Sequence, residues 1–200
     1  MSIDIQKINI KEIGEGEYRS AYFLMSEQRK KKCSAYKNTD DKKLCIAADL
    51  LLRKMLSEKF SISKADIVIK TAENGKPYTE IPGAFFSLSH SGCYAAAAVG
   101  ESELGVDIEK IRPVKAGVAR YFCSTADLQY IFGDKTDFAP AELLTQPEQL
   151  RRFFEVWTFK EAYFKRQGLG IWKYAAEIDF QPHKKLLEYP EHYVLCAVCE

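Results

Sequence analysis

Residues 104–112 read LGVDIEKIR, an apolar run interrupted by two carboxylates, Asp107 and Glu109, two positions apart. On a strand, residues i and i+2 share a face, so both acids point the same way and Ile108 points to the core on the other side. The pattern predicts a half-buried strand over 104–109 whose acidic face meets the rest of the molecule. Two like charges side by side raise one another's pKa unless a cation sits between them. A solvated strand end with two unrelated acids is the alternative that the stretch leaves open when read alone.

Working outward, residues 148–167, EQLRRFFEVWTFKEAYFKRQ, predict a long helix ended by Gly168 and Gly170. Glu161 and Lys165 stand at i and i+4 on it, in the spacing of an ordinary surface ion pair. Their neighbours Phe153, Phe154, Val156, Trp157, Phe159, Tyr163 and Phe164 are strongly apolar, however, which puts the pair at the rim of a cleft. Between strand and helix, 110–120 reads as partly helical and 124–132 as a short capped helix. Residues 133–147, with Pro140 and Pro147, read as an exposed loop with at most one helical turn. Strands are predicted at 175–180 and 192–198.

The first half has a similar order. Residues 1–13 alternate like an edge strand. Residues 26–36 predict a basic helix capped by Ser26, and 39–59 a long amphipathic helix capped by Thr39 or Asp40. Its apolar stripe is Leu44, Ala47, Ala48, Leu51, Leu52 and Met55. Strands follow at 66–71, 84–89 and 94–100, the first two separated by the turn ENGKP (73–77). Two halves, each with a long helix and a small sheet, suggest an internal duplication. The expected fold is α+β, with two similar halves at 1–102 and 103–200 and a site between them.

Composition excludes more than it assigns. The 200 residues are 46% hydrophobic and 28% charged with a net charge of +1, so no overall field favours nucleic acid or a membrane surface. The N-terminus lacks the apolar core of a signal peptide, and no run approaches a spanning length, so a cytoplasmic protein is expected. Cys196 and Cys199 form a CxxC on a predicted strand. An odd offset points them to opposite faces, and no second pair completes a zinc set; the six cysteines read as free thiols.

Three acids from two elements, all oxygen donors, suit a hard cation such as Mg²⁺. Donors and cations occur at three further places: the run RKKK (29–32), the turn NGKP (74–77) and the strand end SLSHSG (87–92). Each alone reads as a solvated helix face, a turn or a structural histidine. Together they fit a polyphosphate gripped by lysines and bridged by Mg²⁺.

GVDIEKIRP (105–113) followed by WTFKEAYFKRQGLG (157–170) resembles the signature of the 4′-phosphopantetheinyl transferases, and FFSLSHSGCYAAAAVG (85–100) and NGKP resemble two further blocks in the same order. The resemblance runs from about residue 25 to 199 and is to the monomeric, surfactin-synthetase-activating type. It implies transfer of the phosphopantetheine arm of coenzyme A to a serine of an apo-acyl or peptidyl carrier protein, with release of 3′,5′-ADP, as in a holo-acyl-carrier-protein synthase.

The resemblance implies Asp107, Glu109 and Glu161 as Mg²⁺ ligands and Lys165 beside the pyrophosphate. It implies Arg29, Lys32, Gly75, Lys76, Pro77, Ser89 and His90 as coenzyme A contacts, with Lys43 as a looser match. Either Glu161 or Glu109 would serve as base. Cys45 stands where relatives often carry a small hydroxyl residue, and Ser87 where they often carry asparagine. Lys110, Arg112, Lys115, Arg120, Tyr121 and Phe122 are the expected carrier contacts. A non-catalytic coenzyme A-binding relative and another Mg²⁺-dependent phosphohydrolase are the competing expectations.

Overall fold

The computed structural model describes residues 3–133, 142–169 and 174–199. The first half contains β1 (Asp4–Asn9), α1 (Glu15–Leu24), α2 (Glu27–Ala35), α3 (Thr39–Phe60), β2 (Ile69–Thr71), β3 (Pro77–Thr79), β4 (Phe85–Ser91) and β5 (Tyr94–Gly100). The second contains β6 (Leu104–Lys110), β7 (Val114–Lys115), α4 (Ala116–Phe122), α5 (Thr125–Phe132), β8 (Leu143–Leu144), α6 (Pro147–Gln167), β9 (Leu186–Glu188) and β10 (Tyr193–Cys199).

Each half builds a three-stranded antiparallel sheet, in the orders β1-β5-β4 and β6-β10-β9. The first strand, long helix and final hairpin of one half thus correspond to those of the other. This is the α+β arrangement of two similar halves that the sequence predicts.

The alanine run of β5 sets how the layers stack. Ala95 and Ala97 face α3, where they meet Leu44, Ala47, Leu51 and Leu52. Ala96 and Ala98 face the second sheet, against Val106, Ile108, Leu195 and Ala197. Small side chains on both faces let the sheet sit between a helix and another sheet without overpacking. On the far side of the second sheet, α6 buries Phe153, Phe154, Val156 and Phe159. Each such fully buried side chain contributes about 1.5–3 kcal/mol.

Gly105 explains how close α6 can come. A Cβ there would lie 1.8 Å from the carbonyl oxygen of Ala162, so only glycine lets the helix cross β6 at this point. The glycine face of β6, which also carries Asp107 and Glu109, therefore lies under α6 of its own half. The Val106 and Ile108 face packs its apolar side chains on the other half, while Asp107 and Glu109 reach that half too, through Ser89 and Ser91 of β4.

Several local expectations shift. The α3 cap is Asn38, whose side chain accepts from Asp40 N at 2.9 Å, not Thr39 or Asp40. Ser26 caps α2 as predicted. The expected strand at 66–71 is regular only at 69–71. Residues 175–177 form a 3-10 turn rather than a strand, because the Ala175 carbonyl is taken by Lys160 Nζ at 2.6 Å and Phe180 N by Asp127 at 2.9 Å. Helix α1 and strand β9 were not predicted. Residues 134–141 of the expected loop, and Gly170, lie outside the described residues, while Leu143 and Leu144 pair with β7. Cys196 and Cys199 do point to opposite faces, and the cysteines are free. No described helix is long and apolar enough to cross a membrane.

Candidate active site between the two halves

Strand β4 carries serines on one face at 87, 89 and 91, and these meet the outer edge of β6. Val106 N donates to Ser87 Oγ at 3.1 Å and Lys110 N to Ser91 Oγ at 3.2 Å. Ser89 Oγ donates to Asp107 Oδ1 at 2.7 Å, and Ser91 Oγ to Glu109 Oε2 at 2.8 Å. The edge of β6 is thereby closed by side chains instead of a further strand. Ser87, which stands in place of the expected asparagine, has a defined structural task here.

Above this seam lies a cleft of about 460 Å³. Arg29, Lys32, Gly75, Lys76, Pro77, Ser89, His90, Asp107, Glu109, Glu161 and Lys165 all line it. The residues singled out from five separate stretches of sequence therefore converge on one place. Lys43 does not line it; its ammonium lies 3.5 Å from Glu15 and over the Tyr18 ring.

Lys165 Nζ donates to Asp107 Oδ1 at 2.7 Å and to Ser89 Oγ at 3.0 Å. The other oxygen of Asp107, Oδ2, is buried and has no hydrogen-bond partner among the described residues. A buried carboxylate oxygen without a donor is costly and calls for a cation or a proton. Burial raises the Asp107 pKa, with Glu109 adding to the rise and Lys165 opposing it. Glu161 is pushed up to about 7, first by burial and then by Asp107 and Glu109, against the pull of Lys165.

No ready-made group of three metal-ligating side chains occurs among the described residues. The donor set nevertheless fits a hard divalent ion: three carboxylates on one cleft, one with an orphaned oxygen, and two with raised pKa values that a cation would lower.

The opposite wall is basic. Arg29 is buried, and Lys32 has its pKa lowered by burial and by Arg29. His90 has its pKa lowered by burial and then by Lys165 and Lys32, which favours a neutral ring. Tyr36, not predicted, packs edge-on against His90, with its hydroxyl 3.5 Å from Nε2. The 74–77 turn closes the mouth: Asn74 Nδ2 donates to Gly168 O at 3.0 Å and Lys76 Nζ to Arg166 O at 2.7 Å, while Glu103 pairs with the same ammonium at 2.5 Å. Gly75 takes φ 83° and Gly168 φ 66°, both left-handed, so each turn needs its glycine.

Two family models match this chain. One, described as the 4′-phosphopantetheinyl transferase superfamily, matches residues 103–193; the other, described as 4′-phosphopantetheinyl transferase, N-terminal, matches residues 14–102. The chain belongs to the 4′-phosphopantetheinyl transferase superfamily.

Among curated relatives, it is similar to the superfamily member 4′-phosphopantetheinyl transferase ffp of Bacillus subtilis, with 29% identity over 179 residues, 88% of this chain and 75% of that one. It is 30% identical over 149 residues to 4′-phosphopantetheinyl transferase Sfp of Bacillus subtilis strain 168, over 74% of this chain and 62% of the relative. A Xenopus laevis relative, L-aminoadipate-semialdehyde dehydrogenase-phosphopantetheinyl transferase, is 26% identical over 174 residues, 83% of this chain and 57% of its own length. The chain thus spans less than two thirds of the length of these last two superfamily members.

Of the expected carrier contacts, Tyr121 is well exposed and Lys110, Lys115 and Arg120 reach solvent. Phe122 is fully buried, stacked on Trp157 at 4.3 Å between centroids, and is withdrawn from that set. Arg112 donates to Glu109 at 3.0 Å and lies over the Phe154 ring.

Proposed function

We propose that this chain transfers the 4′-phosphopantetheine arm of coenzyme A to a serine of an apo-acyl or peptidyl carrier protein, in a Mg²⁺-dependent reaction that releases 3′,5′-ADP. The observation that carries the reading is the orphaned Asp107 Oδ2, in the same cleft as Glu109, Glu161 and Lys165. Family membership supports the reaction type.

Asp107, through Oδ2, with Glu109 and Glu161, would hold Mg²⁺, which when bound neutralises and aligns a pyrophosphate. Lys165 donates to the phosphoryl oxygens as charge builds on them. Glu161 takes the proton from the carrier serine Oγ as that oxygen attacks the β-phosphorus, with Glu109 as the alternative base. The 3′,5′-ADP then leaves with its 5′-phosphate against the basic wall of Arg29 and Lys32, while neutral His90 faces the 3′-phosphate. The arm occupies the mouth under Lys76 and Pro77.

The product assay tests the reaction class. Coenzyme A, Mg²⁺ and protein should yield 3′,5′-ADP only when an apo-carrier is present, and a chelator should stop it. Release at the same rate without carrier would make the protein a phosphohydrolase. His90→Ala should raise the KM for coenzyme A more than that for 3′-dephospho-coenzyme A; equal rises would remove His90 from the 3′-phosphate.

A further inference from the structure

Behind the basic wall lies a buried chain of charges that the sequence reading passed over. Asp49 on α3 is fully buried. It accepts from Arg53 Nε through Oδ2 at 2.7 Å and from Arg29 Nε through Oδ1 at 3.3 Å. Arg53 is itself buried, and its Nη1 donates to the carbonyls of Lys64 at 2.9 Å and Ile67 at 2.7 Å. That guanidinium is committed to the fold. Arg29 is different. It gives Asp49 only its Nε edge, and among the described residues its terminal amino groups have no hydrogen-bond partner, although it lines the cleft.

We propose that Asp49 is a positioning residue: it locks the Arg29 guanidinium by one edge and so presents the remaining fork to a phosphate of the bound ligand. The inference rests on reading the cleft as the coenzyme A site. Asp49 does not line the cleft and touches no ligand; it acts through Arg29. Three features support this. A guanidinium fixed before binding loses less rotamer entropy on meeting its anion. One carboxylate between two guanidinium groups leaves a net positive charge in a poorly solvated wall, where attraction for an anion is strong. Arg53 and its two carbonyls anchor Asp49 from behind, so the carboxylate cannot swing into the cleft and compete with the ligand.

Calorimetric titration of coenzyme A and of inorganic pyrophosphate tests the proposal, with thermal unfolding recorded for every variant. Asp49→Asn should weaken coenzyme A binding about tenfold, the scale of a hydrogen bond to a charged group. It should leave kcat at saturating coenzyme A within about twofold of wild type, a KM effect rather than a kcat effect. Asp49→Asn combined with Arg29→Ala should bind no more weakly than Arg29→Ala alone, since one acts through the other. Unchanged affinity in Asp49→Asn, or losses that simply add in the double variant, would overturn the proposal.

If Asp49→Asn does not fold, Arg29→Lys decides: a lysine keeps the charge but cannot give one edge and present a fork, so affinity should fall about tenfold. Wild-type affinity in Arg29→Lys would overturn the idea. A wild type that binds pyrophosphate but not coenzyme A sinks the functional reading alone, and the variants are then compared on pyrophosphate. Binding of neither ligand sinks both.

Discussion

At Asp107, Lys165 and Ser89 hold one carboxylate oxygen while the other has no partner among the described residues, and Glu161 shares the same cleft with a pKa pushed up to about 7. The stability consequence of Glu161 has a definite sign. Its folded pKa is raised above the ordinary glutamate value of 4.5 that holds in the unfolded chain, so the folded state holds that proton more tightly. In metal-free protein its unfavourable contribution therefore grows as pH rises from about 4.5 to about 7. Glu161→Gln should accordingly gain about 2–3 kcal/mol over wild type at pH 8 in chelator, and lose that advantage near pH 4. Denaturant unfolding at the two pH values measures this; equal differences at both would contradict the shift. Added Mg²⁺ should raise the wild-type Tm more than that of Glu161→Gln, because the neutral amide contributes one charged ligand fewer.

Residue types and spacings made this site legible in part. Asp107, Glu109, Glu161 and Lys165 could be named because charges inside apolar periodic elements are conspicuous. Asp49 and Arg53 carry the same kind of signal, an i and i+4 charged pair within the stripe of α3, yet went unread because their partner Arg29 is twenty positions away and only folding joins them. Lys43, only a loose match to the family's nucleotide-binding segment, instead turns its side chain to Glu15.

At the scale of elements, α6 does two jobs on two faces. Glu161 and Lys165 face the cleft. Lys160, next to Glu161, is fully buried on the other side, paired with Asp127 at 2.5 Å and donating to the carbonyls of Phe122 and Ala175. One ammonium thus ties α6 to the end of α4, the start of α5 and the turn at 175–177. Lys160→Ala should destabilise by about 3–5 kcal/mol, since it strands Asp127 as an uncompensated buried charge. Gly105→Ala should also be costly, about 2 kcal/mol or more, because the Ala162 carbonyl is backbone and cannot step aside. Thermal unfolding reads both; a Tm within 2 °C or so of wild type for either would refute the corresponding contact.

Helices α3 and α6 were readable because their apolar periodicity is long. Helix α1 was not: its buried positions, Tyr18 and Ala21, are too few to form a stripe, and its start is marked only by Gly14 N donating to Glu17 Oε2 at 3.0 Å. The false strand at 175–180 had the right composition, but side chains from α5 and α6 take the backbone groups a strand would have needed.

For the whole molecule, the seam between halves is where structure becomes site. The serine ladder of β4 joins β6 from below and the 74–77 turn clasps the end of α6 from above. Asn74→Ala should loosen only the upper clasp. It should raise the KM for coenzyme A severalfold, by about 1 kcal/mol, with little change in Tm; an unchanged KM would mean the clasp is irrelevant to binding.

The repeated sheet order was foreseeable from the repeated helix–strand order. That the Val106 and Ile108 face also packs on the first half was not, because alternation says which residues share a face but not which neighbour that face meets. The most direct measurement is the intact mass of an apo-carrier protein after incubation with coenzyme A, Mg²⁺ and this protein. The account predicts a gain of one phosphopantetheine arm per carrier, lost in chelator and in Glu161→Gln. An unmodified carrier with the wild-type protein, or full modification by Glu161→Gln, would contradict it.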